Sequence, residues 1–257
     1  MNVLVTGGTG ALGRALVPQL REAGHVVRVL SRRARNDPDA VVGDLVSGAG
    51  LETAVAGIDT IVHAASATTQ LTKGEAIDVA GTRRLLQLAR AAGVRHAILV
   101  SIVGIEDVPY PYYRVKLAAE AVVREGIVPW TILRATQFHT LMEVFLGGFC
   151  RLPGLAAVPF RWQFQPVDTR DVGRRLVEIA GHEPAGRLPD FGGPEVRSFE
   201  SIARSWLAAR GLRRWLVNLP LPMKAGRQIA SGKLLCPDHR DGAVTFEQYL
   251  AARYPGS

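Results

Sequence analysis

Three glycines near the start of the chain have a spacing that suits an anion. Gly7, Gly10 and Gly13 follow the apolar run 3–5 and open a stretch with helical periodicity. At a turn from strand to helix, residues without a side chain let the backbone approach a diphosphate, and the first N–H groups of the helix face the anion. An ordinary glycine-rich turn is the alternative, but the position between strand and helix favours a dinucleotide. The predicted cradle consists of Gly7, Thr9, Gly10, Ala11, Leu12 and Gly13.

The end of the second predicted strand distinguishes between the two common dinucleotides. An acidic side chain there would hold the ribose 2′-hydroxyl of NAD, whereas an arginine accommodates the 2′-phosphate of NADP. The strand ends in Ser31, Arg32 and Arg33 and carries no carboxylate. The planar guanidinium of Arg32 suits a phosphate, with Ser31 and Arg33 as helpers, so we expect NADP in preference to NAD. The alternative is that these are exposed loop arginines of an arginine-rich chain.

A tyrosine and a lysine four residues apart could transfer a proton. Tyr112 and Lys116 begin a predicted helix, on which side chains four apart share one face. A phenol has a pKa of about 10, and a neighbouring ammonium together with an oxidised nicotinamide would lower it. Ser101 ends the preceding strand, at the edge of the sheet where ligands bind, and its hydroxyl could hold a substrate carbonyl beside Tyr112. Packing alone is the alternative for Tyr112, and Tyr113 lies about 100° away around the helix.

Other polar residues follow strands of the predicted sheet. Asp44, after the third strand, could accept a hydrogen bond from an adenine amino group, with a helix cap or turn as the alternative. His63 lies near the end of the fourth strand, where it could line the pocket, although an ordinary partly buried histidine is the favoured interpretation. Neither His25 nor His139 belongs to a recognisable catalytic group.

A regular alternation of strands and helices must position these residues. Short apolar strands are separated by amphipathic helices, which is typical of a parallel sheet. The predicted strands are 3–5, 26–30, 40–42, 59–65, 96–101 and 130–133, and the predicted helices are 11–23, 51–56, 74–92 and 111–124. The sequence therefore predicts an α/β fold with a doubly wound parallel sheet of Rossmann type.

The alternation stops near Ala135. Residues 137–165 are rich in aromatic residues, glycine and proline, and the helices predicted after them are 169–180, 198–209 and 245–253. We expect a dinucleotide-binding core over 1–135 and a small irregular substrate region over 136–257, packed on the core as one structural unit. The aromatic segment is predicted to close over the substrate.

Composition argues against several classes of protein. Of the 257 residues, 47% are hydrophobic, and no apolar run reaches the roughly 20 residues that span a bilayer. The start of the chain does not resemble a signal peptide, so a cytoplasmic protein is expected. Cys150 and Cys236 lie far apart and predict neither a disulfide framework nor a metal site. The net charge of +8 is spread along the chain, so a small-molecule substrate is expected rather than nucleic acid, and a homo-oligomer is left open.

Together, these motifs resemble the short-chain dehydrogenase/reductase superfamily, and within it the atypical NmrA-like branch of NAD(P)H-binding proteins. The glycine turn and the Tyr112–Lys116 pair with Glu120 are shared features. Further matching segments are Gly43-Asp44-Leu45, His63-Ala64-Ala65-Ser66, Asp78-Val79 with Gly81-Thr82, 129–134, 167–172 and 192–195. The resemblance covers almost the whole chain. It departs from the family pattern in one respect, because the asparagine that usually follows the fourth strand is not evident.

The resemblance implies that Ser101 positions the substrate, Tyr112 is the acid–base group and Lys116 holds the nicotinamide ribose. The cofactor contacts that it implies after the third and fourth strands are Asp44, Leu45, Ala64, Ala65 and Ser66. Members of the branch include both reductases and cofactor-binding regulators. We therefore predict an NADP(H)-dependent oxidoreductase acting on a small carbonyl, quinone or related apolar substrate, with a non-catalytic redox sensor that binds a protein partner as the alternative. The retained Tyr112 and Lys116 favour the enzyme.

Overall fold

A computed structural model describes residues 1–67 and 74–255. The strands are β1 (Asn2–Thr6), β2 (Val26–Ser31), β3 (Ala40–Val42), β4 (Thr60–His63), β5 (His96–Ile102), β6 (Trp130–Ala135), β7 (Leu155–Val158), β8 (Gln163–Phe164), β9 (Gly186–Arg187), β10 (Arg197–Ser198) and β11 (Trp215–Asn218). The helices are α1 (Ala11–Glu22), α2 (Leu51–Val55), α3 (Gly81–Ala91), α4 (Pro111–Arg124), α5 (His139–Phe149), α6 (Thr169–Ala180), α7 (Phe199–Ala209), α8 (Lys224–Ala230) and α9 (Phe246–Arg253). None of the helices in the described part of the chain combines the length and apolar character needed to cross a membrane.

A seven-stranded parallel sheet confirms the predicted Rossmann-type fold. Its strands lie in the order β3-β2-β1-β4-β5-β6-β9, so the chain reverses its direction across the sheet between β1 and β4. The carboxyl ends of strands at such a reversal form a crevice where ligands bind in open α/β folds. The strands are apolar because helices cover them, and α3 contributes Leu85, Leu86 and Ala89 to their core.

The long helix predicted over 74–92 is present, but it begins as a π-helical stretch, Glu75–Ala80, that continues directly into α3. Wide π-helical turns are rare and often occur at functional sites. Asp78 lies in this stretch with only 1% of its surface exposed. A charged residue is almost never buried so completely without partners.

The chain divides into two compact units. Unit 1 consists of Met1–Ser101, Tyr110–Arg134 and Val172–Pro189, and unit 2 of Ile102–Pro109, Ala135–Asp171 and Asp190–Ser257. The sequence prediction has one boundary, near Ala135. In the structure Val172–Pro189 belongs to unit 1, where β9 pairs with β6.

Unit 2 has an aromatic core of its own, in which Phe164 packs edge to face against Phe199 and Trp162 stacks on Phe199. Two small sheets, β7 with β11 and β8 with β10, frame this core. The sequence predicted no regular elements over 137–165, whereas the structure has α5, β7 and β8 there.

Candidate functional site

The glycine turn joins β1 to α1 and is packed too closely for side chains. Gly7 has a φ of 72°, in the left-handed region that favours glycine. A Cβ at Gly7 would lie 2.6 Å from the backbone nitrogen of Ala65 and 2.7 Å from the carbonyl carbon of Ala64. A Cβ at Gly13 would lie 2.3 Å from the Cα of Gly8. Gly7 therefore lets the turn pack against the residues that follow β4, and Gly13 lets the start of α1 pack against the turn.

Helix α1 begins at this turn without a side-chain cap. Its N-cap residue is Gly10, and its first turn contains no acidic residue. The first N–H groups of a helix have no partner inside it, and the helix dipole favours an anion beside them. Exposed Thr9 precedes the cap, and its carbonyl accepts a hydrogen bond from the guanidinium of Arg14 at 2.9 Å. The N–H groups of Ala11, Leu12 and Gly13 belong to this first turn, and their contact with a diphosphate stays a prediction.

Ser31 and Arg32 lie at the end of β2, where the sequence predicts the ribose contact. Ser31 Oγ donates a hydrogen bond to the Arg33 carbonyl at 2.9 Å, which shapes the bend after the strand. Arg32 is exposed, and among the described residues nothing forms an ion pair or hydrogen bond with its guanidinium. This guanidinium is therefore available to an anion.

Asp44 follows β3 and takes part in a local turn. Its Oδ1 accepts a hydrogen bond from the Val46 backbone at 2.7 Å, the turn role that the sequence left as an alternative. The neighbouring Leu45 is buried, and its carbonyl accepts a hydrogen bond from Arg84. The contact of Asp44 with adenine stays a prediction.

Tyr112 meets Ser66, which lies just after β4, rather than Ser101. The Ser66 Oγ and the Tyr112 hydroxyl oxygen are 2.9 Å apart. Ser66 in turn donates a hydrogen bond to Asp78 Oδ1 at 2.5 Å, and the Ala67 N–H donates to Asp78 Oδ2 at 2.9 Å. A chain of polar contacts thus runs from the tyrosine through a serine to a buried carboxylate.

Lys116 lies one helical turn after Tyr112 and is fully buried. Its Nζ donates a hydrogen bond to the Val100 carbonyl at 3.1 Å and lies 3.9 Å from Asp78 Oδ1. Burial lowers the pKa of Lys116, and the charges of Asp78 and Glu120 oppose that effect. Asp78 is therefore the counter-ion of Lys116, and Ser66 links it to Tyr112.

The predicted lowering of the Tyr112 pKa is not what the structure shows. Burial raises the pKa of Tyr112 to about 12, and the Asp78 charge adds to this rise. The ammonium of Lys116 is directed to Val100 and Asp78 instead of to the phenol. Lys116 by itself does not lower this pKa, because spacing along a helix reports neither burial nor the presence of a competing carboxylate. The combined effect of Lys116 and an oxidised nicotinamide stays a prediction.

Ser101 is buried at the end of β5, where its hydroxyl faces α4. It lies close enough to the Glu120 carboxylate to contribute to the low pKa of that group, but it falls short of a well-formed hydrogen bond. Burial on its own would raise the Glu120 pKa, and hydrogen bonds from Arg134 at 2.8 and 2.9 Å outweigh it. Within the described residues no hydrogen bond joins Ser101 to Tyr112, and its predicted catalytic role stays a prediction.

His63 is a buried, satisfied histidine, which was the favoured interpretation. Its Nδ1 lies 2.6 Å from the Thr6 hydroxyl oxygen and its Nε2 lies 2.8 Å from that of Thr82. Because Thr82 donates its own hydrogen to the Asp78 carbonyl, the ring nitrogen donates to Thr82. Burial lowers the pKa of His63 to about 3, with a further contribution from Lys116.

The model of a known protein family matches residues 7–141, more than half of the chain, and its description is NAD(P)H-binding. The chain belongs to this NAD(P)H-binding family. Its fold agrees with the resemblance to the atypical short-chain dehydrogenase/reductase type that the motifs suggested. The glycine turn, Ser66, Asp78, Tyr112 and Lys116 all lie within the matched residues.

Relatives and solved structures agree with this assignment. A (4-alkanoyl-5-oxo-2,5-dihydrofuran-3-yl)methyl phosphate reductase of Streptomyces griseus is 30% identical over 205 residues, which are 76% of this chain and 68% of that protein. A 3-beta-hydroxysteroid dehydrogenase of Mycolicibacterium neoaurum is 33% identical over 58% of this chain, which spans about half (53%) of its length. A short-chain dehydrogenase/reductase superfamily protein from Agrobacterium tumefaciens, solved with bound NAD, has a TM-score of 0.75 at 23% identity and covers 98% of this chain and 95% of its own.

Sequence reasoning missed the part that Asp78 plays in this NAD(P)H-binding protein. It noted Asp78 as part of a matching segment and Ser66 as a cofactor contact, but it did not join either residue to Tyr112. Ser66 and Asp78 belong to no motif of fixed spacing, and Asp78 lies 12 positions after Ser66 along the chain. Two signals were nonetheless present: an acidic residue between apolar Ile77 and Val79 at the start of the helix, and a serine just after β4.

Proposed function

We propose that the chain is an NADP(H)-dependent oxidoreductase that reduces a small carbonyl, quinone or related apolar substrate. The observation that carries the proposal is the pair formed on one face of α4 by half-buried Tyr112 and buried Lys116, which is connected to Ser66 and Asp78. Ion pairs buried without a function are costly compared with apolar packing, so a buried lysine and carboxylate beside a tyrosine suggest a catalytic site. The reductase and dehydrogenase relatives support the same class of reaction.

In this proposal each residue has a separate task. The α1 N-terminus would hold the diphosphate, Lys116 the nicotinamide ribose, and the bound nicotinamide supplies the hydride. Tyr112, which is a protonated phenol at neutral pH, donates its hydroxyl hydrogen to the substrate oxygen. Because burial raises its pKa, the phenol stays protonated over a wide pH range, and reduction requires this form.

The preference for NADP rests on Arg32. Its exposed guanidinium follows β2 and is not engaged by any described residue, so a 2′-phosphate can bind there without breaking an ion pair. No carboxylate occupies the end of β2 to hold a free 2′-hydroxyl.

The decisive experiment compares wild type with Tyr112→Phe. Binding of NADPH and NADH is measured by calorimetry, and oxidation of NADPH is then followed with a panel of carbonyls and quinones. We expect turnover in wild type and a loss of at least a hundredfold in Tyr112→Phe with binding retained, which is the usual scale of acid catalysis. Tyr113→Phe, which changes the neighbouring residue in the same way, is the matched control. Tight binding of the dinucleotide without turnover of any substrate in the panel would indicate a cofactor sensor and contradict the proposed enzyme.

A further inference from the structure

We propose that Asp78 is a positioning residue that holds the hydroxyl hydrogen of Ser66 and thereby makes Tyr112 the donor in the Ser66–Tyr112 hydrogen bond. This inference rests on the proposed function, since it assigns a direction to the proton at the same tyrosine. It follows from counting the hydrogens available to three side chains.

Ser66 has one hydroxyl hydrogen and two neighbours that could accept it. An ionised carboxylate accepts hydrogen bonds and cannot donate them, so the 2.5 Å contact with Asp78 takes the hydrogen of Ser66. The 2.9 Å contact with Tyr112 must then be donated by the phenol. A bond to a charged acceptor is also the stronger of the two, which favours this arrangement over its reverse.

Asp78 is held firmly enough to impose this direction. Its second oxygen accepts the Ala67 N–H at 2.9 Å, and its backbone carbonyl accepts the Thr82 hydroxyl. The carboxylate is almost completely buried, with Lys116 as its counter-ion. Rotation of Asp78 away from Ser66 would therefore break several buried contacts together.

The arrangement stabilises the phenol and disfavours the phenolate. A phenolate at Tyr112 would face an oxygen lone pair of Ser66 unless Ser66 turned its hydrogen away from Asp78. Other titratable groups near this end of α4 are Tyr110 at its N-cap, Tyr113, and Lys116 one turn after Tyr112, while His63 on β4 lies near Lys116. His63 is neutral because burial lowers its pKa to about 3, and the Asp78 charge raises the pKa of Tyr112.

The sign of one measurement tests the direction. Ionisation of Tyr112 is followed by the ultraviolet absorbance of its phenolate, as the difference between each variant and the same variant with Tyr112→Phe, over the pH range in which circular dichroism shows a native fold. If Tyr112 donates to Ser66, then Ser66→Ala removes a bond that stabilises the phenol, and the titration midpoint falls. If Ser66 donates to Tyr112, the same substitution raises the midpoint, and our proposal is overturned.

Asp78→Asn tests the role of the carboxylate. We expect a fall of the Tyr112 midpoint by about one pH unit, because a like charge is removed and Ser66 is less strongly held. Asp107→Asn, at a half-exposed aspartate paired with Lys233 in unit 2, is the matched control and should not move the midpoint. An unchanged midpoint in folded Asp78→Asn contradicts the proposal, and if this variant does not fold the sign of the Ser66→Ala shift decides alone.

Turnover separates this inference from the proposed function. As the pH is raised, the rate of NADPH-dependent reduction should begin to fall at a lower pH in Asp78→Asn than in wild type. The reason is that reduction needs the phenol, whose midpoint is expected to be lower in this variant. The titrations need no turnover and stand even if the protein proves to be a sensor. The opposite outcome is also possible to recognise: turnover requires Tyr112, but the Tyr112 titration is unshifted in Ser66→Ala and Asp78→Asn. That result would support the proposed enzyme and contradict the role of Asp78.

Discussion

Ser66 and Ser101 are the two candidates for a hydroxyl that assists Tyr112, and they have different neighbours in the structure. Ser66 lies within hydrogen-bond distance of the Tyr112 hydroxyl, whereas Ser101 faces the Glu120 carboxylate beneath α4. A hydroxyl acts on a transition state only when it reaches the reacting atoms or the group that transfers the proton. The contacts of Ser66 therefore make it the stronger candidate for assistance to Tyr112.

Comparing alanine substitutions at the two serines tests this assignment. We expect Ser66→Ala to lower kcat for NADPH-dependent reduction about tenfold, which corresponds to the loss of one hydrogen bond of about 1.4 kcal/mol. Ser101→Ala should lower kcat by a smaller factor. The reverse order of effects would support the role that the sequence predicted for Ser101.

Arg32 offers a second test at the scale of single residues. Arg32→Ala should weaken NADPH binding by about tenfold or more, the cost of a charge-assisted hydrogen bond, and leave NADH binding nearly unchanged. The control is Arg35→Ala, an exposed arginine in the same loop. Isothermal calorimetry with both dinucleotides gives the answer, and equal losses for NADPH and NADH would contradict a 2′-phosphate contact.

At the scale of elements, the alternation of strands and helices could be predicted because each element has a clear period. The bounds of β3, α4 and α6 agree with the sequence prediction residue for residue. Helix α5 escaped prediction because it is apolar on most sides and contains Gly147 and Gly148, so that no polar face marks its period. The π-helical stretch also escaped, since a change from four-residue to five-residue hydrogen bonding leaves no signature in composition.

Glycines in helices provide a prediction at this scale. Gly13→Ala places a Cβ 2.3 Å from backbone in the turn, so we expect a loss of about 1–3 kcal/mol in the free energy of unfolding and weaker dinucleotide binding. Gly147→Ala in α5 is the control: a Cβ there meets nothing within 4 Å, and alanine should stabilise the helix by about 0.5–1 kcal/mol. Chemical denaturation measures both effects, and a neutral Gly13→Ala would refute the close packing of the turn.

For the whole molecule, the sequence predicted the sheet and the glycine turn better than the contacts among buried polar groups. Spacing predicted that Tyr112 and Lys116 share a helix face, but their partners come from β5 and the π-helical stretch, which tertiary folding brings together. The division into units has the same origin, since Val172–Pro189 joins unit 1 through pairing at the edge of the sheet. Such long-range contacts have no local pattern in a single sequence.

Buried histidines should make the stability of the whole molecule depend on pH well above the range in which carboxylates titrate. Burial lowers the pKa of His63, His96 and His139, and that of His63 falls to about 3. The unfolded chain binds these protons below a pH of about 6.5 while the folded protein does not, so stability is full above that pH and declines as the pH falls toward 3. Each histidine contributes a slope of about 1.4 kcal/mol per pH unit in its own window. We expect urea denaturation between pH 7 and about 5 to show this decline, and His63→Gln to reduce its slope. A wild-type stability that stays constant over that interval would mean that these rings accept protons in the folded protein.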